Sequence, residues 1–282
     1  MTTDARDSQI DLTGQVALVT GAGGGLGRAF ALALARAGAQ VALTARTAEP
    51  LAETAELVGR GGGRALAIPS DVTASDAVTR IVSTAESQLG PIDILVNNAG
   101  VMGPLGYDWH AEPEDWWRTF EVNVLGSFRC AREVLTGMVA RRRGRIVNVS
   151  SGAAFNRLPR MAAYCATKAA VAQWTKILAE DTRAHGIAVF AFHPGAVRTS
   201  MVTILTESPD VPRELGDMFR TLLNQGRDTP IERCAQMLVF LVSGRADALS
   251  GRFIRAQDNE DELMRRAEEI QRNDLHTVTL RT

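Results

Sequence analysis

Tyr164 and Lys168 are four positions apart in the segment YCATK, a spacing that puts two side chains on one face of a helix. A free phenol has a pKa of about 10 and transfers protons poorly at neutral pH. A neighbouring ammonium stabilises the phenolate, so we expect Lys168 to bring the pKa of Tyr164 closer to the range that suits general acid–base catalysis. The five residues alone also fit a core tyrosine followed by a surface lysine.

The glycine-rich segment TGAGGGLG, residues 20–27, is a second sign of chemistry, because it follows the apolar run VALVT and opens an amphipathic stretch. Glycine permits positive φ and close backbone approach, and a helix N-terminus offers free N–H groups to a phosphate. A loop of this kind between a strand and a helix is typical of dinucleotide binding. By itself, the segment also fits a tight turn.

Short apolar, β-branched runs alternate with longer amphipathic stretches, which predicts an α/β fold with a doubly wound parallel sheet of Rossmann type. The strand-like runs are VALVT, VALTA, ALAIP, IDILVN, RIVNVS and IAVFAFH, with GRFIRA as a last candidate. Helical spacing of apolar residues covers residues 26–37, 49–58, 74–89, 115–140, 162–184 and 231–242. Residues 198–230 include Pro209, Pro212, Gly216 and Gly226, which predicts a long excursion of the kind that forms a lid or is disordered.

One domain is expected, because no repeat, low-complexity segment or linker divides the chain. Its predicted parts are a flexible N-terminal segment (residues 1–11), a nucleotide-binding domain (residues 12–256) with a lid at about 198–230, and a C-terminal extension (residues 257–282). The extension consists of a charged amphipathic helix, EDELMRRAEEIQRN, and the alternating, strand-like tail HTVTLRT.

Composition argues against several functional classes. The 282 residues include 31 Lys+Arg and 32 Asp+Glu without the basic stripe of a nucleic-acid-binding protein, and the basic run at 141–145 is interpreted as a solvated helix end. Cys130, Cys165 and Cys234 lack C-x-x-C spacing, so neither a disulfide framework nor a metal site is expected. The polar start MTTDARDSQ and the lack of an apolar run near about 20 residues predict a soluble, cytoplasmic protein without membrane contact.

Several motifs occur in a fixed order and together resemble the short-chain dehydrogenase/reductase family over residues 12–256. They are T-G-x-x-x-G-x-G with Gly21, Gly25 and Gly27, N-N-A-G at residues 97–100, a serine after the fifth strand, Tyr164-x-x-x-Lys168, and Pro194-Gly195 followed by Thr199. This resemblance implies an oxidoreductase that transfers hydride between a nicotinamide and a carbonyl or alcohol carbon.

The resemblance assigns catalytic roles to Asn123, Ser151, Tyr164 and Lys168. Tyr164 would protonate the carbonyl oxygen in reduction and act as the base in oxidation, while Lys168 would also hold the nicotinamide ribose. Ser151 would donate a hydrogen bond to the developing alkoxide. It is favoured over Ser150, interpreted as a strand-end cap, because relatives commonly place the serine 13 residues before the tyrosine. Asn123 would support a water relay to the lysine, or act as a buried amide that braces its helix.

Cofactor choice depends on the end of the second strand, where NAD-using relatives carry an acidic residue but this chain has Ala45 followed by Arg46. A guanidinium suits a 2′-phosphate, so NADP(H) is expected rather than NAD(H), unless Arg46 is simply a solvated loop cation. Asp71 and Val72 match the family pair beside the adenine, although Asp71 also fits a helix N-cap. The expected cofactor-binding residues are Gly21, Gly25, Leu26, Gly27, Arg46, Asp71, Val72, Asn98, Ala99, Gly100, Tyr164, Lys168, Pro194, Gly195, Val197 and Thr199.

Substrate choice in this family comes from the lid and the rim of the site. A mostly apolar rim favours a hydrophobic ketone or secondary alcohol, and its expected members are Met102, Leu105, Phe155, Leu158, Met161 and residues 201–219. Trp109, Trp116 and Trp117 are expected to pack on a neighbouring helix or to line the entrance. No chemistry is assigned to His193.

Other outcomes remain open for the same motifs. The alternatives are a non-redox catalyst (dehydration, epimerisation or cyclisation) and a non-catalytic, cofactor-sensing binding protein. A homodimer or homotetramer is expected through the helices around 115–140 and 162–184, which is the habit of the family. Relatives commonly end with D-G-G where this chain has Gln257, Asp258 and Asn259, so the extension is expected to reshape either the pocket or the subunit interface.

Overall fold

The structure is a computed structural model that describes residues 10–277. Most of the predicted flexible segment 1–11, and residues 278–282 of the predicted strand-like tail, lie outside the described residues.

Seven strands form the sheet: β1 (Val16–Thr20), β2 (Gln40–Thr44), β3 (Ala65–Ala67), β4 (Ile92–Asn97), β5 (Gly144–Val149), β6 (Ile187–His193) and β7 (Phe253–Arg255). All neighbours pair in parallel, in the order β3-β2-β1-β4-β5-β6-β7. Their apolar, β-branched sequences suit strands that are buried on both faces. The predicted doubly wound sheet is therefore confirmed, and each predicted strand is present.

Helices cover both faces of the sheet. Within residues 10–277 they are α1 (Gly25–Arg36), α2 (Ala48–Arg60), α3 (Ser75–Leu89), α4 (Pro113–Phe120), α5 (Ser127–Arg141), α6 (Ala162–Arg183), α7 (Ser200–Glu207), α8 (Arg213–Asn224), α9 (Ile231–Val242), α10 (Glu260–Arg265) and α11 (Ala267–Arg272). None of the helices in this described part is both long and apolar enough to cross a bilayer.

The predicted helix at 115–140 has an interruption that the sequence did not indicate. Helix α4 passes into α5 through a π-helical segment, Glu121–Gly126. A π-turn widens the helix by one residue without a proline or a break in the apolar pattern, so periodicity alone reads through it. Asn123 lies within this segment.

The excursion at 198–230 contains two helices, α7 and α8, rather than irregular chain. Pro212 occupies the N-cap of α8, a position from which proline does not disturb the helix. The prolines that suggested irregular structure therefore mark the junction between two helices.

Apolar residues fill both faces of the sheet. On one face, α1 and α9 pack on the strands, and the rings of Phe30 and Phe192 meet edge to face with centroids 6.0 Å apart. On the other face, Ile81 of α3 and Val134 of α5 belong to a second buried cluster. The core thus fixes the strands and leaves their carboxyl ends to carry the site.

The C-terminal extension folds back onto β7. Arg252 is buried and donates to the Asp274 carboxylate (2.5 Å) and the Leu275 carbonyl (3.3 Å), while the Phe253 N–H donates to the His276 carbonyl at 2.7 Å. The predicted single helix is divided into α10 and α11, because the backbone at Arg266 leaves the helical region. The extension is therefore part of the folded body.

Candidate active site

A cavity of about 580 Å³ opens at the carboxyl ends of the strands. It lies where the strand order reverses between β1 and β4, the position at which open parallel sheets bind ligands. Every residue expected to bind the cofactor lines this cavity, and Ser151 of the catalytic set does so too. Asn123 is the exception, since it lies behind the cavity wall.

The glycine-rich loop is shaped by close backbone contacts. Gly21 has φ +66°, and a Cβ there would lie 2.9 Å from Asn98 Nδ2. A Cβ on Gly27 would lie 2.2 Å from the Gly21 carbonyl oxygen, so the first turn of α1 can approach the loop only through glycine. A Cβ on Gly24, by contrast, would meet nothing within 4 Å.

This open side of the loop fits a dinucleotide pyrophosphate. Gly24 is the N-cap of α1 and supplies no side chain to satisfy the first N–H groups of the helix. The first two residues of the helix, Gly25 and Leu26, carry such N–H groups and line the cavity. The chain could therefore hold a phosphate there with backbone donors and without steric conflict.

The segment after β4 locks the glycine loop in place. The Thr20 hydroxyl accepts from the N–H groups of Asn98 and Ala99, both at 3.0 Å, and Asn98 Nδ2 donates to the carbonyls of Thr20 (3.0 Å) and Gly21 (3.3 Å). Asn98 thus shapes the loop itself, in addition to lining the cavity.

The adenosine end of the cavity carries opposite charges. Arg46 is exposed at its wall. Asp71 accepts from the backbone and hydroxyl of Thr73 (2.8 and 2.7 Å) and pairs with Arg118 at 3.3 Å. Burial alone raises the pKa of Asp71. The hydrogen bonds from Thr73 and the charges of Arg118 and Arg46 together have the larger effect, so the pKa lies below its usual value. The N-cap of α3 is Ala74, so the helix-cap interpretation of Asp71 is wrong.

Three side chains of the predicted catalytic set meet at the other end of the cavity. Tyr164 and Lys168 project from α6, with the ammonium 5.5 Å from the centre of the phenol ring. Ser151 follows β5 and lines the cavity with Tyr164, and its side chain interacts with the phenol so as to lower the pKa of Tyr164. The Ser150 hydroxyl instead donates to the Lys168 carbonyl at 3.0 Å, which ties the end of β5 to α6. The structure therefore brings Ser151, rather than Ser150, to the phenol.

Burial governs the protonation of the pair. It raises the pKa of Tyr164, and the interaction with Ser151 offsets only part of the rise. It also lowers the pKa of Lys168 to about 8. The pKa of Tyr164 thus lies above its usual value, contrary to the expectation of a lowered one, because desolvation is the largest influence on the phenol. The Lys168 ammonium donates to the Val149 carbonyl at 2.8 Å.

Asn123 braces the wall behind this group. Its amide donates to the Val101 carbonyl (2.9 Å) and the Thr167 hydroxyl (3.0 Å), and its oxygen accepts from the Val101 N–H (2.8 Å). With both N–H groups of the amide engaged, the structure supports the bracing interpretation directly. The water relay stays a prediction.

The turn after β6 is held by residues that the motifs did not identify. A Cβ on Gly195 (φ +84°) would lie 2.0 Å from Thr229 Oγ1 and 2.5 Å from Gln257 Nε2. The buried Cys234 thiol donates to the Pro194 carbonyl at 3.1 Å. Gln257, at the place of the usual D-G-G ending, therefore packs against Gly195, which lines the cavity. Whether the extension acts on the pocket or on a subunit interface stays a prediction.

The remaining wall is apolar and comes from the lid helices and the loop before α6. Leu158, Met161, Leu205 and Phe219 line the cavity and belong to one apolar cluster. Phe155 does not line it, because its ring packs edge to face on Phe253 at 4.5 Å. The tryptophans show stacking rather than a place in the cavity: Trp116 and Trp117 stack on Phe120, and Trp109 stacks on Tyr107.

Within residues 10–277, no group of three or more His, Cys, Asp or Glu side chains converges to hold a metal.

Known proteins share this arrangement. Residues 15–210 match the short chain dehydrogenase family. A short chain dehydrogenase of Pseudocercospora fijiensis is 33% identical over 92% of this chain and 85% of its own length. A solved variant of actinorhodin polyketide ketoreductase with NADPH has a TM-score of 0.79 at 31% identity, covering 86% of this chain and 95% of that one. A 7α-hydroxysteroid dehydrogenase with NADH and 7-oxo glycochenodeoxycholic acid has a TM-score of 0.80 at 30% identity, covering 88% and 94%.

The burial of the Lys168 ammonium is predicted to lower the free energy of unfolding of the protein. Folding lowers the lysine pKa from 10.5 to about 8, so the destabilisation is fully present below pH 8 and disappears as the pH rises towards 10.5. In cofactor-free protein, Lys168→Met should raise the free energy of unfolding at pH 7 by about 1–3 kcal/mol. Urea denaturation at pH 7 and pH 10 should show this gain shrink with pH. Lys176→Met, which removes an ion pair with Asp274, is the control and should give no gain. Equal stability of Lys168→Met and wild type at pH 7 would contradict the argument.

Proposed function

The chain belongs to the short-chain dehydrogenase family and is an oxidoreductase of that type; on this premise we propose that it transfers hydride between NADP(H) and the carbonyl or secondary-alcohol carbon of an apolar small molecule. One observation carries the proposal. Ser151, Tyr164 and Lys168 share a single cavity with the glycine loop and an apolar wall.

The nicotinamide, when bound, supplies or accepts the hydride. In the reducing direction the Tyr164 hydroxyl donates its proton to the carbonyl oxygen as negative charge develops there. Ser151 donates a hydrogen bond to the same oxygen. Lys168 would hold the ribose hydroxyls of the nucleotide, and its charge would stabilise the phenolate that the proton transfer leaves. The raised pKa of the buried phenol keeps it protonated at neutral pH, which is the state that a proton donor needs.

The preference for NADP(H) rests on Arg46 and Ala45. Both line the cavity, and neither of these two residues directly after β2 carries a carboxylate that would repel a 2′-phosphate. The acidic residue among those that line the cavity, Asp71, is engaged by Thr73 and Arg118. Structural neighbours are recorded with NADPH and with NADH, so the charge at this position is the argument for this chain.

The substrate end is an apolar chamber beneath a lid. We propose residues 198–230 as the lid, with α7 and α8 covering Tyr164 through Leu205 and Phe219. Such walls gain free energy by burying apolar substrate surface and supply few hydrogen-bond partners of their own. A hydrophobic ketone or secondary alcohol suits this chamber, with its oxygen directed to Ser151 and Tyr164.

A second copy of this chain is the proposed partner. Large apolar side chains are exposed on α4, α5 and α6, namely Trp117, Phe128 and Ile177. Phe128 packs on Trp174 with ring centroids 6.2 Å apart, so part of this face is already ordered. Exposed apolar faces of neighbouring helices are typical of subunit interfaces.

Replacing the proposed proton donor tests the chemistry. Tyr164→Phe should lower kcat about 10²–10⁴-fold while NADPH affinity stays within about threefold, because only the hydroxyl is lost. Absorbance at about 340 nm across a panel of apolar ketones and quinones, with NADPH and NADH separately, measures turnover. Tyr107→Phe, which removes the only other phenol of the sequence, is the control. Full turnover by Tyr164→Phe would refute the acid–base role, and cofactor binding without turnover of any carbonyl would refute the reductase proposal.

Reversing the charge at Arg46 tests the cofactor preference. Arg46→Asp should raise KM for NADPH about 10–100-fold, equivalent to about 1.4–2.8 kcal/mol, and leave or improve KM for NADH. Arg60→Asp, at the exposed far end of α2, should change neither value. An unchanged ratio of the two KM values in Arg46→Asp would show that Arg46 is only a solvated cation.

Introducing charge on the exposed apolar face tests self-association. Sedimentation velocity of the wild type should show a dimer or tetramer, and the double variant Phe128→Glu/Ile177→Glu should shift it to smaller species, because two buried carboxylates would face an apolar partner. Ile204→Glu, a comparable change on α7, should leave the assembly intact. A wild type that sediments as a monomer would overturn the proposed interface.

A further inference from the structure

His193 is the last residue of β6 and has no role in the motifs. Its Nδ1 lies 3.1 Å from the Gly152 backbone nitrogen and 3.2 Å from the Gly195 backbone nitrogen, and both N–H groups point to it. Gly152 directly follows Ser151, and Gly195 belongs to the turn that lines the cofactor cavity. One ring nitrogen therefore joins the segment of the proposed oxyanion donor to the segment of the proposed cofactor cradle.

The two hydrogen bonds continue the sheet beyond its last strand pair. The parallel ladder between β5 and β6 ends at Val149 and Phe192, and the Ser150 N–H makes one more bond, to the Phe192 carbonyl at 2.7 Å. Past that point the segments that follow β5 and β6 diverge into separate turns. Nδ1 of His193 is the acceptor that links them where backbone pairing has stopped.

The contact constrains the ring. An imidazole nitrogen that accepts hydrogen bonds carries no proton, so the ring is neutral with its proton on Nε2, and an imidazolium would lose both bonds. Burial and the charge of Arg255 lower the pKa of His193 to about 4, although Asp258 raises it. A Cβ on Gly152 would lie 3.1 Å from Nε2, a tight contact that the ring would have to relieve by a small shift, so glycine favours this arrangement.

We propose that His193 is a positioning residue that fixes the distance between Ser151 and the Pro194–Gly195 turn by accepting both N–H groups at Nδ1. His193 is not among the residues that line the cavity, so it acts through the two segments that it joins. Its effect on turnover rests on the proposed function, since the two segments that it joins carry the oxyanion donor and the nicotinamide end of the cavity. Small errors in such a distance lower the rate strongly while leaving the fold intact.

Two substitutions separate the hydrogen-bond acceptor from the bulk of the ring. Asparagine places an amide oxygen near the position of Nδ1, whereas leucine fills similar space without an acceptor. We expect His193→Leu to lower kcat at least about 10-fold and to weaken NADPH binding, measured by nicotinamide fluorescence, at least about threefold; His193→Asn should stay within about threefold of wild type in both. His185→Leu, before the opposite end of β6, is the control and should behave as wild type.

A readout without cofactor tests the geometry independently. Ring ¹⁵N chemical shifts should show His193 as the Nε2–H tautomer at pH 6–8, and protonation only near pH 4. The inference is overturned if Nδ1 carries the proton, or if folded His193→Leu and His193→Asn are equally impaired or equally unimpaired. Absence of turnover in the wild type would refute the proposed function but not this inference, because NADPH affinity and the tautomer would still report on it.

Discussion

The pairing of β1 with β4 is the constraint on which the site depends. From this pair the strand order proceeds outward to β2 and β3 on one side and to β5, β6 and β7 on the other. The helices that follow β1 and β4 therefore pass to opposite faces of the sheet. Their divergence leaves a crevice that no side chain of the core has to fill. The glycine loop can then turn from β1 into α1 directly beside the end of β4, close enough for Thr20 and Asn98 to exchange hydrogen bonds. A longer side chain at Gly21 or Gly27 would push the loop away from β4 and close the crevice.

Several polar groups at or behind the walls of the crevice make their hydrogen bonds within the protein. The Asn123 side-chain amide is hydrogen-bonded to Val101 and Thr167. The Ser150 hydroxyl donates to the Lys168 carbonyl, and the Cys234 thiol donates to the Pro194 carbonyl. These contacts rigidify the backbone around side chains that must stay free for a ligand. The Lys168 side chain differs from these groups, because its burial disfavours the charged form that the proposed chemistry needs. Destabilised charges of this kind are typical of functional sites rather than of structural ones.

The sequence predicted the fold and most of the positions in the cavity, because both depend on local patterns. Strand runs, helical spacing and the glycine loop follow from neighbours within a few residues, and the helix period alone places Tyr164 beside Lys168. The failures have a common physical origin in contacts between distant segments. The direction of the Tyr164 pKa depends on burial by the surrounding walls, and the contacts of Thr229 and Gln257 with Gly195 join residues far apart in sequence. Phe155 looks like a rim residue until β7 provides Phe253 as its partner.

The backbone bond from Phe253 to His276 has a consequence for how the molecule meets others. β7 is the last strand of the sheet, and a strand in that position offers unpaired N–H and C=O groups on which another chain can extend the sheet. Here the extension returns along that edge and is fastened by Arg252 to Asp274, so part of the outer hydrogen-bonding row is taken by the chain itself. At the opposite border, β3 has only three residues, too few to template a neighbour. Within residues 10–277, each border of the sheet thus offers another chain only a short stretch of unpaired backbone.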